Sequence, residues 1–218
     1  MTTSTNKTEP FASLRPFLRQ KTAGESQCEL CGAAMGEHPH LLELKTRKVV
    51  CSCEPCAILF ASNGAANYRR VPRDVRLLAN FVLTDTQWEA LAIPINMAYF
   101  CLRTNSNSPT GFYPSPAGAT ESLLPIDSWR EIAAGNPAIG AMQPDVECLL
   151  VNRVTTPHRY FLTPIDECYR LVGLIRSKWR GFSGGTEVWK EIGAFFVSLE
   201  KRSALPEKRS YGRSEFSD

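Results

Sequence analysis

Cys28-Glu-Leu-Cys31-Gly32 and, twenty residues on, Cys51-Ser-Cys53-Glu-Pro-Cys56 decide how the front of this chain folds. Two Cys-x-x-Cys pairs at this separation have the spacing of a metal site, with one thiol to spare. A pair two residues apart wraps a tight turn so that both thiolates face one ion. Two such turns complete the tetrahedral sulfur shell that zinc prefers. Gly32 suits the first turn, because glycine tolerates backbone angles that other residues resist. The predicted ligands are Cys28, Cys31, Cys53 and Cys56, since only Cys53-x-x-Cys56 repeats the turn of the first pair. Cys51 stands as an alternative ligand, and His38 and His40 compete for the same four positions. A closed four-cysteine zinc site does no chemistry and stabilises a small module. Iron or an iron–sulfur cluster is the alternative occupant, which would make the chain a redox or metal-delivery protein.

Outward from these cysteines the module has a readable order. A knuckle at 28–32 is followed by Leu41-Leu42-Glu43-Leu44, a polar reversal at 45–48, and Val49-Val50, which together predict a small hairpin. The second cysteine group opens the apolar run Ala57-Ile58-Leu59-Phe60-Ala61, which Asn63-Gly64 closes as a helix C-cap would. Knuckle, hairpin and helix in this order predict a treble-clef arrangement, with the helix N-terminus favouring thiolates. If 56–61 is a strand instead, the module is a zinc ribbon. Residues 23–66 are thus expected to form a four-cysteine metal-binding module behind a polar tail, 1–22, that holds a short amphipathic piece at 11–18.

A larger α+β domain is expected over 67–201. Thr84-Asp85-Thr86-Gln87 has the form of a capping box before Trp88. Residues 95–102 read as a buried strand. The stretch 103–120, rich in Ser, Asn, Pro and Gly, predicts a long loop, and 103–122 is a candidate docking surface. Ser128 is expected to cap a short helix, and 146–151 and 160–162 to be strands. Thr163-Pro164-Ile165-Asp166 predicts a helix start, with Thr163 as N-cap and Pro164 at N1. That helix and another from 186 to 201 form an αα-hairpin packed on a sheet. Residues 202–218, polar and mixed in charge, are expected to be a disordered tail.

Composition bounds the function. The chain has 218 residues, 43% hydrophobic and 22% charged, with a net charge of +3, so no global field draws it to nucleic acid or membrane. Locally, Lys45, Arg47, Lys48, Arg69, Arg70, Arg73 and Arg76 exceed nearby acids, which admits a nucleic-acid-binding zinc finger as a further alternative. Pro72 argues against it by interrupting any recognition helix. The longest apolar stretch, 91–102, holds Pro94 and Asn96 and is too short to span a bilayer. The N-terminus lacks the apolar core of a signal peptide. Eight cysteines, five of them close together, suggest a metal site in a reducing compartment, hence the cytoplasm. Cys101, Cys148 and Cys168 sit in apolar contexts and read as small hydrophobes. His158 is the only histidine outside the module. No nucleophile elbow, Walker loop, dinucleotide fingerprint or zinc-protease helix is present, so no catalytic residue is assigned and the chain is not expected to be an enzyme. Gly181-Phe182-Ser183-Gly184-Gly185 lacks the Lys-Ser/Thr of a nucleotide loop and reads as an interhelical turn.

Five segments, Cys28-Glu-Leu-Cys-Gly32, Cys51-Ser-Cys-Glu-Pro-Cys-Ala57, Tyr113-Pro-Ser-Pro-Ala-Gly-Ala-Thr-Glu-Ser122, Pro164-Ile-Asp-Glu-Cys-Tyr169 and Trp179-Arg-Gly-Phe-Ser-Gly-Gly185, together resemble a bacterial family of unknown function. Its members are usually encoded beside high-affinity [NiFe]-hydrogenases and their accessory proteins. The resemblance spans roughly 25–200. It implies a cytoplasmic accessory protein whose partner is a hydrogenase or a maturation factor. It carries over no catalytic residues.

Overall fold

The computed structural model describes residues 26–61, 67–104, 109–181 and 183–203. The amphipathic piece at 11–18, the Asn63-Gly64 cap and the tail beyond 203 lie outside these residues.

The front of the chain is built from short pieces. β1 (Ser26–Gln27) and β2 (Ala34–Met35) pair around the first cysteine turn, where Gly32 takes φ 73°. β3 (His40–Glu43) and β4 (Val49–Cys51) form the expected hairpin, and α1 (Glu54–Ala61) follows at once. Residues 56–61 are therefore helix, and the strand that a zinc ribbon needs there is absent. β5 (Tyr68–Arg70) pairs with β3, giving the three-stranded order β4-β3-β5.

The larger part is a six-stranded antiparallel sheet with helices on both faces. Its remaining elements, in chain order, are β6 (Arg76–Leu77), α2 (Asp85–Ala90), β7 (Met97–Leu102), β8 (Pro109–Ser115), β9 (Gly118–Ser122), α3 (Ile126–Gly135), α4 (Pro137–Gly140), β10 (Glu147–Asn152), β11 (Arg159–Pro164), α5 (Ile165–Lys178) and α6 (Gly185–Ser203). The strand order is β6-β11-β10-β7-β8-β9. Successive residues of a strand face opposite sides. Accordingly Met97, Tyr99, Leu150 and Phe161 pack with Leu171, Ile175, Ile192 and Phe196 of α5 and α6. Ala98, Phe100, Leu149, Val151 and Leu162 pack with Trp88, Trp129, Ile132 and Ile139 of α2, α3 and α4. Because both faces are covered, β7 and β10 are apolar almost throughout.

Thr84 caps α2 through the anticipated capping box, its hydroxyl accepting from the Gln87 N–H while Gln87 Oε1 accepts from the Thr84 N–H. Elsewhere the structure corrects the expectations. Residues 109–122, most of the expected loop, are instead two strands: β8 and β9 form a hairpin that completes the sheet, and Phe112 stacks on Tyr99 at 5.1 Å; 105–108 lie outside the described residues. Proline misleads here because its position is harmless. Pro114 lies past Phe112, the last residue of β8 that β7 pairs, so its missing N–H has no bond to lose on that side. Residues 109–122 thus belong to the sheet, with β9 as its edge strand. Thr163 does not cap α5; it continues β11, which pairs as far as Pro164, and Pro164 is the cap. Ser128 lies inside α3, whose cap is Pro125. Helix α6 runs on to Ser203, so Arg202 and Ser203 do not belong to a disordered tail.

Cys101 and Cys148, expected to be free thiols, form a disulfide. The register sets them opposite each other on β7 and β10, with Cα atoms 4.4 Å apart, the close spacing of a non-hydrogen-bonded antiparallel pair. Nothing in the sequence marks that register. Cys168 is a free thiol, fully buried in the same core.

The turn between α5 and α6 is tightly constrained. Gly184 has φ 86°, and a Cβ there would meet Val188 at 2.8 Å and the Trp179 ring at 3.0 Å. Gly184→Ala is expected to cost about 3 kcal/mol, from a left-handed backbone and steric overlap together. Denaturant unfolding of the variant measures it.

Candidate metal centre

The four predicted cysteines converge. One sulfur from each of Cys28, Cys31, Cys53 and Cys56 lies within 4.8 Å of the other three, and all are free thiols. Cys31 and Cys53 sulfurs are 3.6 Å apart. Four sulfurs held tetrahedrally about 2.3 Å from an ion are separated by about 3.8 Å, so this spacing fits a metal and is far too long for a disulfide.

Local structure explains the convergence. The first turn is closed by Gly32 N–H donating to Cys28 O at 2.8 Å and Cys28 N–H donating to Ala33 O at 2.8 Å. Cys53 sits just ahead of α1, with its carbonyl accepting from Ala57 N–H at 2.9 Å, and Cys56 lies in the first turn. Glu29 joins the two pieces. Its N–H donates to Cys51 O, and its carboxylate accepts from Cys51 N–H at 2.8 Å and Lys48 Nζ at 3.1 Å.

Two of the four thiols are shifted in opposite directions. Burial pushes the Cys28 thiol up, but N–H groups of Cys53, Cys31 and Leu30 outweigh it and hold the thiol down at about 6. Cys56 is pushed up to about 12, first by sharing a hydrogen bond with Cys53 and then by burial. A cation is what would let all four ionise together.

Cys51 is not in this group. Its sulfur lies with His38 and His40, whose ring nitrogens complete a second set of three ligand atoms within 4.8 Å. Burial, then the Glu29 charge, raises Cys51. His40 is raised by its hydrogen bond to Asp166, against the effect of burial. The seven candidate ligands therefore separate into four and three.

The module is clamped to the larger domain by residues that the sequence reading missed. Asp145 is buried, and its carboxylate meets Arg47 Nη1 at 2.8 Å, Thr104 Oγ1 at 2.5 Å and Arg69 Nε at 3.5 Å. Arg47 and Asp145 both hold positive φ, 61° and 70°. Two strained backbones thus meet at one ion pair. Tyr169 on α5 donates its hydroxyl to Arg47 O at 3.2 Å. Leu42 joins the core under α5 and α6, and Leu44 and Val49 pack against it. Asp145 and Arg47 are 98 positions apart, and no local signal links them. Asp166 lies in a quoted motif but read only as a helix start.

Four arginines of the basic stretch are paired within the molecule. Arg69 pairs with Asp145, Arg70 with Glu54, Arg73 with Glu37 and Arg76 with the buried Glu147. His158 is half-buried in the connection before β11. No helix among the described residues is long and apolar enough to cross a membrane.

A family model described as a family of unknown function, DUF5947, matches residues 27–203. No curated protein and no solved structure matches the chain.

Proposed function

We propose that this chain, which belongs to the DUF5947 family, is a zinc-stabilised accessory protein that docks on a [NiFe]-hydrogenase or its maturation machinery in the cytoplasm. One observation carries the metal part: four thiols from two distant stretches gather within 4.8 Å, a complete shell that leaves no position open for a substrate. The order of knuckle, hairpin and helix supports a treble-clef module around that ion. Its role is to hold the front of the chain in shape, and the protein works by binding, not catalysis.

The hydrogenase connection rests on the five sequence segments that carry the resemblance. A protein partner is favoured over nucleic acid because Arg69, Arg70, Arg73 and Arg76 are each engaged by a carboxylate. The outer side of α1 also exposes Ile58 and Leu59, 56% and 60% accessible, beside Phe60. Apolar side chains grouped on one short helix suit a protein surface. The Cys101–Cys148 bridge is at odds with a reducing compartment, and localisation by fractionation tests that element separately.

Affinity purification of the tagged full-length chain from hydrogenase-producing cells is expected to recover a hydrogenase or a maturation factor, and Leu59→Glu is expected to lose it. Recovery of neither would overturn the docking role. Anaerobic purification is expected to give a colourless protein with tightly held zinc. Visible absorption from iron would replace zinc with the alternative occupant.

A further inference from the structure

We propose that His38, His40 and Cys51 form a second site, for a divalent first-row transition-metal ion, distinct from the four-cysteine cluster and open at one coordination position. A ring nitrogen of each histidine and the Cys51 sulfur lie within 4.8 Å of one another. The hairpin makes this possible: His40 of β3 is directly opposite Cys51 of β4, so the two side chains share a face. His38 joins them from the connection before β3, its ring edge-on to His40 with centroids 5.3 Å apart.

The second independent observation is how the rings are held. His38 Nδ1 is 2.8 Å from Gly36 O, and His40 Nδ1 is 2.6 Å from Asp166 Oδ2. A carbonyl and a carboxylate only accept, so both rings place their proton on Nδ1 and present an Nε2 lone pair when neutral. His38 Nε2 is buried and has no hydrogen-bond partner among the described residues. A buried acceptor without a donor calls for an explanation, and a metal ion supplies one. A carboxylate behind a ligating histidine is the usual outer support of a metal site; it fixes the ring and raises its basicity. Here that support comes from α5, so the site bridges the hairpin and the larger domain.

The donor set names the ion class. Two imidazoles and a thiolate suit zinc, cobalt(II) or nickel(II), not calcium or magnesium. Three protein ligands leave a position for water or a donor from a partner, unlike the closed cluster beside it. All three residues are half-buried. The two sites are kept apart by the chain itself. β4 ends at Cys51, Ser52 is buried with its N–H on Pro39 O at 3.1 Å, and the backbone then turns into α1 at Cys53. The site therefore holds an exchangeable ion, whereas the four-cysteine ion is structural.

The test uses the full chain, stripped by chelator under a non-thiol reductant, given excess zinc and desalted. Two equivalents per chain are expected, and one in Cys51→Ser, His38→Gln and His40→Gln. Asp166→Asn keeps all three ligands and is expected to weaken only the second equivalent, by about 10–100-fold. Cobalt(II) titration of the parent keeps the proposal falsifiable should a variant not fold. The second equivalent must add a mixed nitrogen–sulfur visible spectrum to that of the four-thiolate site. Saturation of the parent at one equivalent, two equivalents retained in all three variants, or a second cobalt spectrum with oxygen ligands only would each overturn it. Loss of an equivalent in Cys28→Ser reports the other site, so failure of the two assignments can be told apart.

Discussion

Cys28→Ser is expected to abolish metal binding at the four-cysteine cluster and to unfold 26–35 and 53–61, while the β3–β4 hairpin, anchored by Leu42 in the main core, and the six-stranded sheet stay protected. Burial pushes the Cys28 thiol up, and N–H groups of Cys53, Cys31 and Leu30 outweigh it and hold it down. A hydroxyl there is a poor zinc ligand, and three thiols cannot restore the shell. The stake is large: structural zinc supplies about 10–16 kcal/mol in isolated finger peptides. Hydrogen exchange resolved by segment is the measurement. Amides of 26–35 and 53–61 should lose protection, while those of β7 and β10, buried along nearly their whole length, keep it. Unchanged protection in 26–35 and 53–61 would mean that no ion supports the module.

Asp145→Ala is expected to lower stability by about 3–4 kcal/mol, because it strands Arg47 against the larger domain without its counter-charge. Asp145 is 4% exposed, and its carboxylate also accepts from Thr104. For a chain of this size the loss corresponds to a fall in melting temperature of about 6–16 °C. Asp145→Asn separates the two contributions at this position. Asparagine tolerates the φ of 70° and keeps an acceptor for Thr104, so what it loses is mainly charge. A smaller drop, about half, is expected. Calorimetry on both variants checks the ranking, and equal effects would place the whole cost in the lost charge.

Much of the candidate site was readable from spacing alone, because a Cys-x-x-Cys turn is local. Gly32 and the two short turns act over a few residues each, and the geometry that aims two sulfurs at one point is contained in them. The capping box of Thr84 and the apolar run of β10 were readable for the same reason. The hairpin at 109–122 was not, since Pro and Gly weigh against strand locally, and only the pairing of β8 with β7 and β9 overrides them. Thr163 was misassigned likewise: its local pattern favours a helix cap, but the ladder with β10 holds it extended.

By itself the sequence determined which four thiols come together, the helix that carries the last of them, and the two-helix ending. The tertiary structure alone decided the rest: Cys51 belongs with His38 and His40, Cys101 is bonded to Cys148, and Asp145 ties the hairpin to the sheet. Each of those depends on strand register or on charges far apart in the chain. Register is set by packing of whole faces, and a one-residue slip would reverse every side chain, so no short stretch of residues records it.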